Sequence, residues 1–238
     1  MLKETLLESL RRFPGDPVMI QRLGHELETS SEWQLMLDVL EQQLPHVKSG
    51  TSGEAQVTYL LAKASVELGI ERRALALIGR SLLIRPDFAF SHHIKGRALA
   101  GMQRFEEAIA AQQRCVQLAP DFCWGWFELG HLQRQQGNLS AASGSMKRAL
   151  ELQPVQARHH HNLIREALEE VRAQLGQQER QEAALSLWPD RPVPREGERL
   201  SSLDELELQM EQFNLFLNRQ EPNGQEPNGQ EPNPNRTA

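Results

Sequence analysis

The sequence predicts an all-α fold in which helical hairpins stack side by side. Pro86, Pro120 and Pro154 recur at one fixed interval, and each follows an apolar stretch with the spacing of a helix. Because proline cannot continue a helix, each one marks a helix end. The segments around the prolines, SLLIRPDF, CVQLAPDF and ALELQPVQ, are also alike. Self-similarity at this repeat interval predicts a two-helix unit that occurs three times, over residues 55–88, 89–122 and 123–156.

Residues 1–54 predict a cap on the N-terminal side of the array. A degenerate fourth unit occupies residues 17–50, and half a hairpin precedes it over residues 2–12. The apolar and small residues of the degenerate unit fall at the expected places, which are Ile20, Leu23, Gly24, Leu27, Trp33, Met36 and Leu40. Four extra residues in the stretch KSGTSGE predict a longer loop before residue 55.

The third unit shows the repeated pattern in its fullest form. An aromatic residue is followed by leucine and glycine, then by small residues and a closing proline: Trp126, Leu129, Gly130, Gly137, Ala142, Ala149 and Pro154. This spacing resembles the W-x2-L-G…A…P pattern of the tetratricopeptide repeat. The resemblance implies a right-handed superhelix of hairpins, an α-solenoid, in which small residues such as Gly130 let the two helices of a hairpin approach closely.

The sequence beyond the repeats changes character three times. Residues 157–187 predict a long, polar capping helix that closes the stack, and residues 188–200 predict a proline-rich linker. Residues 201–218 predict an acidic amphipathic helix, and its apolar row over 203–217 offers a surface for self-association. Residues 219–238 have almost no apolar side chain and predict a disordered tail.

The resemblance also implies a binding surface, since in this family the first helix of each hairpin lines a concave groove that holds a segment of a partner. One stripe of each first helix faces the second helix of its hairpin, and another stripe lies about 130° around. The second stripe is expected to face the groove and comprises Tyr59, Lys63, His93, Arg97, Trp124, Phe127, His131 and Arg134, with His161 and Arg165 added by the capping helix. Packing between units remains an equal alternative for Trp124.

The predicted groove combines aromatic rings with cations and has a carboxylate, Glu67, only at its edge. We therefore expect the ligand to be a peptide segment of a client protein that is acidic or ends in a carboxylate. Residues 55–154 carry twelve Lys and Arg against eight Asp and Glu, although the whole chain has a formal charge of −6. A clamp for chaperone tails is not expected, because Tyr59 and Lys63 stand where that clamp of the family uses Lys and Asn.

No residue pattern predicts catalysis, a cofactor or a metal site. The sequence contains neither a glycine-rich phosphate loop nor a nucleophile elbow. Neighbouring histidines in the runs 92–93 and 159–161 point about 100° apart on a helix, so they do not form a chelating pair. Cys115 and Cys123 are too few for a disulfide framework. The sequence also lacks a long apolar run and a secretory signal, so we expect a cytoplasmic protein without a membrane partner.

These features together predict a non-catalytic adaptor or assembly factor that binds a client peptide in the groove. A regulatory or targeting subunit of an enzyme complex, docking through its convex side or the 201–218 helix, is the alternative that the resemblance leaves open. An RNA-binding helical-repeat protein is disfavoured, because the chain is acidic overall and polar base-contacting residues do not recur in register.

Overall fold

The computed structural model describes residues 2–152 and 158–187, and these residues form ten α-helices and no β-strand. The predicted all-α fold class is therefore confirmed. The helices are α1 (Leu2–Arg12), α2 (Pro17–Thr29), α3 (Trp33–Gln43), α4 (Ser52–Glu67), α5 (Glu71–Ile84), α6 (Ala89–Gly101), α7 (Phe105–Leu118), α8 (Cys123–Gln135), α9 (Leu139–Leu152) and α10 (Arg158–Leu187). The predicted linker 188–200, acidic helix 201–218 and tail 219–238 lie outside the described residues.

Consecutive helices pair as hairpins, and the hairpins stack into a solenoid. Helix α2 packs on α3, α4 on α5, α6 on α7 and α8 on α9. Each hairpin also contacts the next one, through α3 and α4, α5 and α6, and α7 and α8. The first helices α2, α4, α6 and α8 contact one another in sequence as well, so they form one continuous face.

The four hairpins turn in the same way although their sequences differ. Ser31, Gly69, Gln103 and Gly137 each end a first helix in the left-handed region, with φ of 56°, 71°, 60° and 76°. In each turn, the amide of the following residue donates to a carbonyl five residues earlier at 2.8–2.9 Å. This is the Schellman pattern, which glycine adopts without strain. The last three of these residues are separated by the same interval as the prolines, so the turn recurs in register with the helices.

The two helices of a hairpin approach most closely where the first helix contributes a glycine. A Cβ placed on Gly130 would lie 2.6 Å from Cγ of Met146 and 3.2 Å from the carbonyl oxygen of Ala142. The equivalent Gly96 lies similarly close to the side chain of Gln112. Because Met146 is itself completely buried, a larger side chain at Gly130 has no free volume to enter.

Apolar clusters join the terminal helices to the repeats. One cluster runs through α1, α2, α3 and α4, and includes Leu10, Ile20 and Leu61. A second cluster joins α8 and α9 to α10, whose Ile164 and Val171 are completely buried. Both ends of the array are thereby covered, which a stack of hairpins needs because its outermost apolar faces would otherwise meet water.

We predict that Gly130→Leu lowers the free energy of unfolding by about 1–3 kcal/mol, because it overpacks the contact with Met146. Gly144→Ala is the matched control, since Gly144 lies in the neighbouring helix α9 and a Cβ there would meet no atom within 4 Å. The control should instead stabilise the protein by up to about 1 kcal/mol through helix propensity. Urea denaturation followed by circular dichroism measures both. Equal effects of the two substitutions would contradict the close approach at Gly130.

Candidate functional site

The continuous face of the first helices contains an open groove of about 560 Å³. Helices α2, α4, α6 and α8 supply most of its lining, with one residue each from the start of α3 and from the loop before α8. The lining residues are Glu28, Trp33, Tyr59, Lys63, Glu67, Phe90, His93, Arg97, Phe122, Trp124 and Glu128. Five residues of the predicted stripe, Tyr59, Lys63, His93, Arg97 and Trp124, therefore come together in one groove.

The remaining residues of the predicted stripe lie outside this groove, at the step from α8 to α10. Phe127 is only 8% exposed and packs in the core shared with α10, so its predicted exposure to a ligand is wrong. His131 lies against it, with ring centroids 4.5 Å apart, and Arg134 donates to Glu170 of α10 at 2.8 Å. A helical wheel, which gives the direction of each side chain around the helix axis, places these side chains on one stripe of α8. Helix α10 covers that part of the stripe.

The two residues expected from the capping helix also lie away from the groove. His161 is half-buried and Arg165 is exposed on α10, and neither lines the cavity. Helix α10 follows α9 as the next first helix would, so its own face continues the array beyond α8. The groove that the structure shows is thus formed by the first helices α2, α4, α6 and α8, and not by α10.

The groove is crossed by ion pairs that link each first helix to the next. Lys63 of α4 donates to Glu28 of α2, and Arg97 of α6 donates to Glu67 of α4 at 2.5 Å. The Nε atom of Arg97 also lies 3.9 Å from the carboxylate of Glu128 on α8. Glu28 and Glu128 contradict the expectation that the groove holds a carboxylate only at its edge. Both groove cations already have acidic partners in the chain, so the surface is not a free cationic patch.

A run of aromatic rings follows the groove from α4 to the start of α8. The contacts are edge to face, with ring centroids 5.1 Å apart for Tyr59 and Phe88, 5.8 Å for Phe88 and Phe90, and 5.1 Å for Phe90 and Phe122. His93 continues the run, 5.1 Å from Phe122. Phe90 is 40% exposed and offers its ring to a ligand.

The sequence analysis did not include Phe88 and Phe122 in the groove. Each lies just before a first helix, and only residues within the helices were assigned to a stripe. A signal was available, however: both are the last residue of a Pro-Asp-Phe segment, and the two segments are one repeat interval apart. In these two repeats the ring bridges one hairpin to the next, since Phe88 contacts Tyr59 of α4 and Phe122 contacts Phe90 of α6. The same offset could therefore have added Phe122 to the predicted groove, and Phe88 to the run of rings beside it.

Burial changes the protonation behaviour of three groups in the groove. It lowers the pKa of His93 to about 4, although a 3.3 Å contact with Gln112 opposes the shift. It raises the pKa of Tyr59 and of Glu128, and Arg97 partly offsets the shift at both groups. At neutral pH the groove thus presents an uncharged imidazole, an uncharged phenol and a carboxylate whose charge is incompletely stabilised.

Metal and thiol chemistry find no support among the described residues. No group of three His, Cys, Asp or Glu side chains in residues 2–152 and 158–187 could hold a metal ion. Cys115 is completely buried, and burial raises the pKa of its thiol to about 11, so it stays protonated and unreactive. What the groove can do is bind, through rings, ion pairs and partly desolvated polar groups.

Two of the predicted units match the sequence model of a known repeat family. The tetratricopeptide repeat family matches residues 91–122 and 125–156, two stretches that lie one interval apart in the predicted second and third units. The chain contains tetratricopeptide repeats. The resemblance found in Trp126, Leu129 and Gly130 is thereby confirmed.

Several solved structures share the fold at low sequence identity. A thermophilic repeat protein of Thermus thermophilus is 18% identical, with a TM-score of 0.57, and the match covers 84% of this chain and all of that one. MamA has a TM-score of 0.52 at 17% identity, over 66% of this chain and 89% of that one. MamA from Desulfovibrio magneticus RS-1 has the same TM-score at 20% identity, over 63% and 82% of the two chains. No curated protein matches the sequence.

The repeats carry no membrane segment in the part of the chain that the structure describes, because none of those helices is long and apolar enough to cross a bilayer. The open cavity of these helices that combines rings with paired charges is the groove of the first helices. Its position agrees with the family's architecture, in which hairpin stacking leaves the first helices side by side.

We predict that His93 makes the repeats less stable as the pH falls from about 6.5 to about 4. Its folded pKa is depressed to about 4. The unfolded chain therefore binds a proton in this interval that the folded chain does not, so stability is lost on acidification. His93→Gln should remove about 1–3 kcal/mol of this loss, measured as urea unfolding free energies at several pH values.

Two features of this experiment isolate His93. Burial also lowers the pKa of His92 and His131, but these residues contribute equally to wild type and variant. His25→Gln removes an exposed imidazole from α2 and controls for the loss of a histidine as such. If His93→Gln kept the full pH slope of the wild type, the imidazole would not be held neutral in the groove.

Proposed function

We propose that this chain is a non-catalytic adaptor or assembly factor that holds a peptide segment of a client protein in the groove of its first helices. The observation that supports this most is the continuity of the groove across α2, α4, α6 and α8, with exposed aromatic surface along it. A groove shaped by stacked repeats and lined with rings suits an extended partner better than a compact small molecule.

The dimensions of the groove suit a short extended segment. Packed helices lie about 8–10 Å apart, so the step from α4 to α8 covers about 20 Å, enough for about six residues of extended chain. A cavity of about 560 Å³ holds several side chains of such a segment. Rings such as Phe90 and Trp124 would contact its apolar residues, which supply most of the binding free energy.

The expectation of an acidic client depends on whether the groove cations can change partners. A client carboxylate, from a side chain or a C-terminus, would have to take Lys63 from Glu28 or Arg97 from Glu67. Such an exchange replaces one partly buried ion pair by another, so it contributes to specificity more than to affinity. An acidic client therefore has no free cationic surface to favour it.

A regulatory or targeting role through the convex side has its own supporting observation. A second open cavity, of about 320 Å³, lies between α5, α6 and α7. Leu75, Ile78, Leu82 and Leu99 line it, with Lys95 at a place where the repeat pattern has leucine. An enzyme subunit docking there would leave the inner groove free.

We also place the protein in the cytoplasm, where its two free cysteines would stay reduced.

Site-specific photo-crosslinking on the full chain tests which surface binds the client. We predict that p-benzoylphenylalanine replacing Phe90 forms protein adducts on irradiation in a lysate of the source cells, because this ring is exposed in the groove. The same group at Leu83, which is 87% exposed on α5, is the matched control for random collisions. Mass spectrometry identifies the adducts, and ribonuclease treatment separates protein from RNA-bridged partners.

Crosslinking from a third position, Leu75, distinguishes client binding in the groove from docking on the convex side. Leu75 lies in the outer cavity, so adducts at Leu75 without adducts at Phe90 would favour the convex docking role. Equal adducts at Phe90 and Leu83 would show that the groove has no specific partner.

A further inference from the structure

The groove contains one carboxylate more than its cations can pair. Glu28 is bound by Lys63, and Glu67 by Arg97. Glu128 is left with a single contact, the Nε atom of Arg97 at 3.9 Å, while that guanidinium already bonds Glu67 at 2.5 Å. Among the described residues, no side chain or amide donates a hydrogen bond to the Glu128 carboxylate. Its charge is the least compensated in the groove.

Aromatic side chains line the same groove as Glu128. Trp124 lies one helical turn before it on α8, so both side chains are on the same face of the helix. Phe90 and Phe122 line the same cavity, with their rings 5.1 Å apart. Glu128 is still 35% exposed, which leaves it accessible, and burial of the remainder raises its pKa. The result is a partly desolvated carboxylate beside apolar surface.

This combination matches the chemistry of a long basic side chain. The methylene stem of lysine or arginine packs on rings, while its cationic end pairs with a carboxylate and is attracted by aromatic faces. An acidic group would instead meet three carboxylates, and two cations that already pair with Glu28 and Glu67. The groove charge therefore complements a cation, which reverses the preference expected from the sequence.

We propose that the groove recognises its client through a lysine or arginine side chain that pairs with Glu128 beside Trp124 and Phe90. This inference rests on the proposed function, that a client peptide occupies the groove, and specifies the chemistry of that peptide. The recognised segment is one in which a basic residue lies next to apolar or aromatic residues. Glu128 is thus a specificity-determining residue, while the rings provide most of the contact area.

A phage-displayed library of random 12-residue peptides, selected on the immobilised full chain, tests the proposal. The expected result is enrichment of Lys or Arg next to an apolar residue, relative to the unselected library. Selection on Glu128→Gln, which keeps the size of the side chain and removes its charge, should retain the apolar enrichment and lose the basic one. Glu106→Gln is the matched control, because Glu106 is exposed on α7 outside the groove.

A double-mutant cycle with the best selected peptide measures the contact directly. Replacing the basic residue of the peptide by Gln should weaken binding to the wild-type chain at least about fivefold, and binding to Glu128→Gln less than about twofold. Fluorescence anisotropy gives the Kd values, and circular dichroism confirms that each variant is folded. The cycle remains interpretable if the substitution changes stability, because both peptides are compared on the same folded protein.

The outcomes separate this inference from the function on which it rests. Peptides that need Phe90 for binding but show no basic preference, or an acidic one, would overturn the role of Glu128 and leave the groove function standing. A basic preference that survives in Glu128→Gln would overturn it as well. If no peptide were enriched, or if Phe90→Ala bound as tightly as wild type, the proposed function and the inference would both fail.

Discussion

The fold depends on one constraint, which is that a single helical hairpin cannot bury its own apolar face. Close approach at glycines such as Gly130 and Gly96 brings the two helices of a hairpin together, but the resulting pair still exposes apolar surface on both sides. Stacking of the next hairpin buries that surface, and α1 to α3 and α10 complete the burial at the two ends. The regular spacing of the hairpins is a consequence of this stacking.

The groove follows from the same constraint. When hairpins stack, their first helices lie side by side, and equivalent positions of successive repeats become neighbours in space. Rings then meet across the step from one first helix to the next, as Phe90 of α6 and Phe122 before α8 do. An acidic residue on one first helix likewise reaches a basic residue on the next, as Glu67 and Arg97 do. The inner face thus contributes to stability and also carries the groove in which we propose that the client binds. The ion pairs that join neighbouring helices also decide which charges a ligand can meet.

The sequence was sufficient to predict the helices and their pairing, because proline spacing and small residues act within one repeat. The repeat interval placed the hairpins, and Tyr59, Lys63 and Arg97, which the helical wheel puts on one stripe, line one cavity. It could not predict the charge of the groove, since Glu28 and Glu128 are brought to the cations only by stacking. Phe127 was misplaced for a related reason: a wheel describes one helix and does not show that α10 covers it.

Hydrogen–deuterium exchange of the full chain, with and without its best-binding displayed peptide, tests most directly that the first helices form the binding face. Bound peptide shields amides and suppresses local opening of the helices it contacts. The account predicts slower exchange in α4, α6 and α8, with α5 and α7 unchanged. Protection confined to α5 and α7, around the outer cavity, would contradict it.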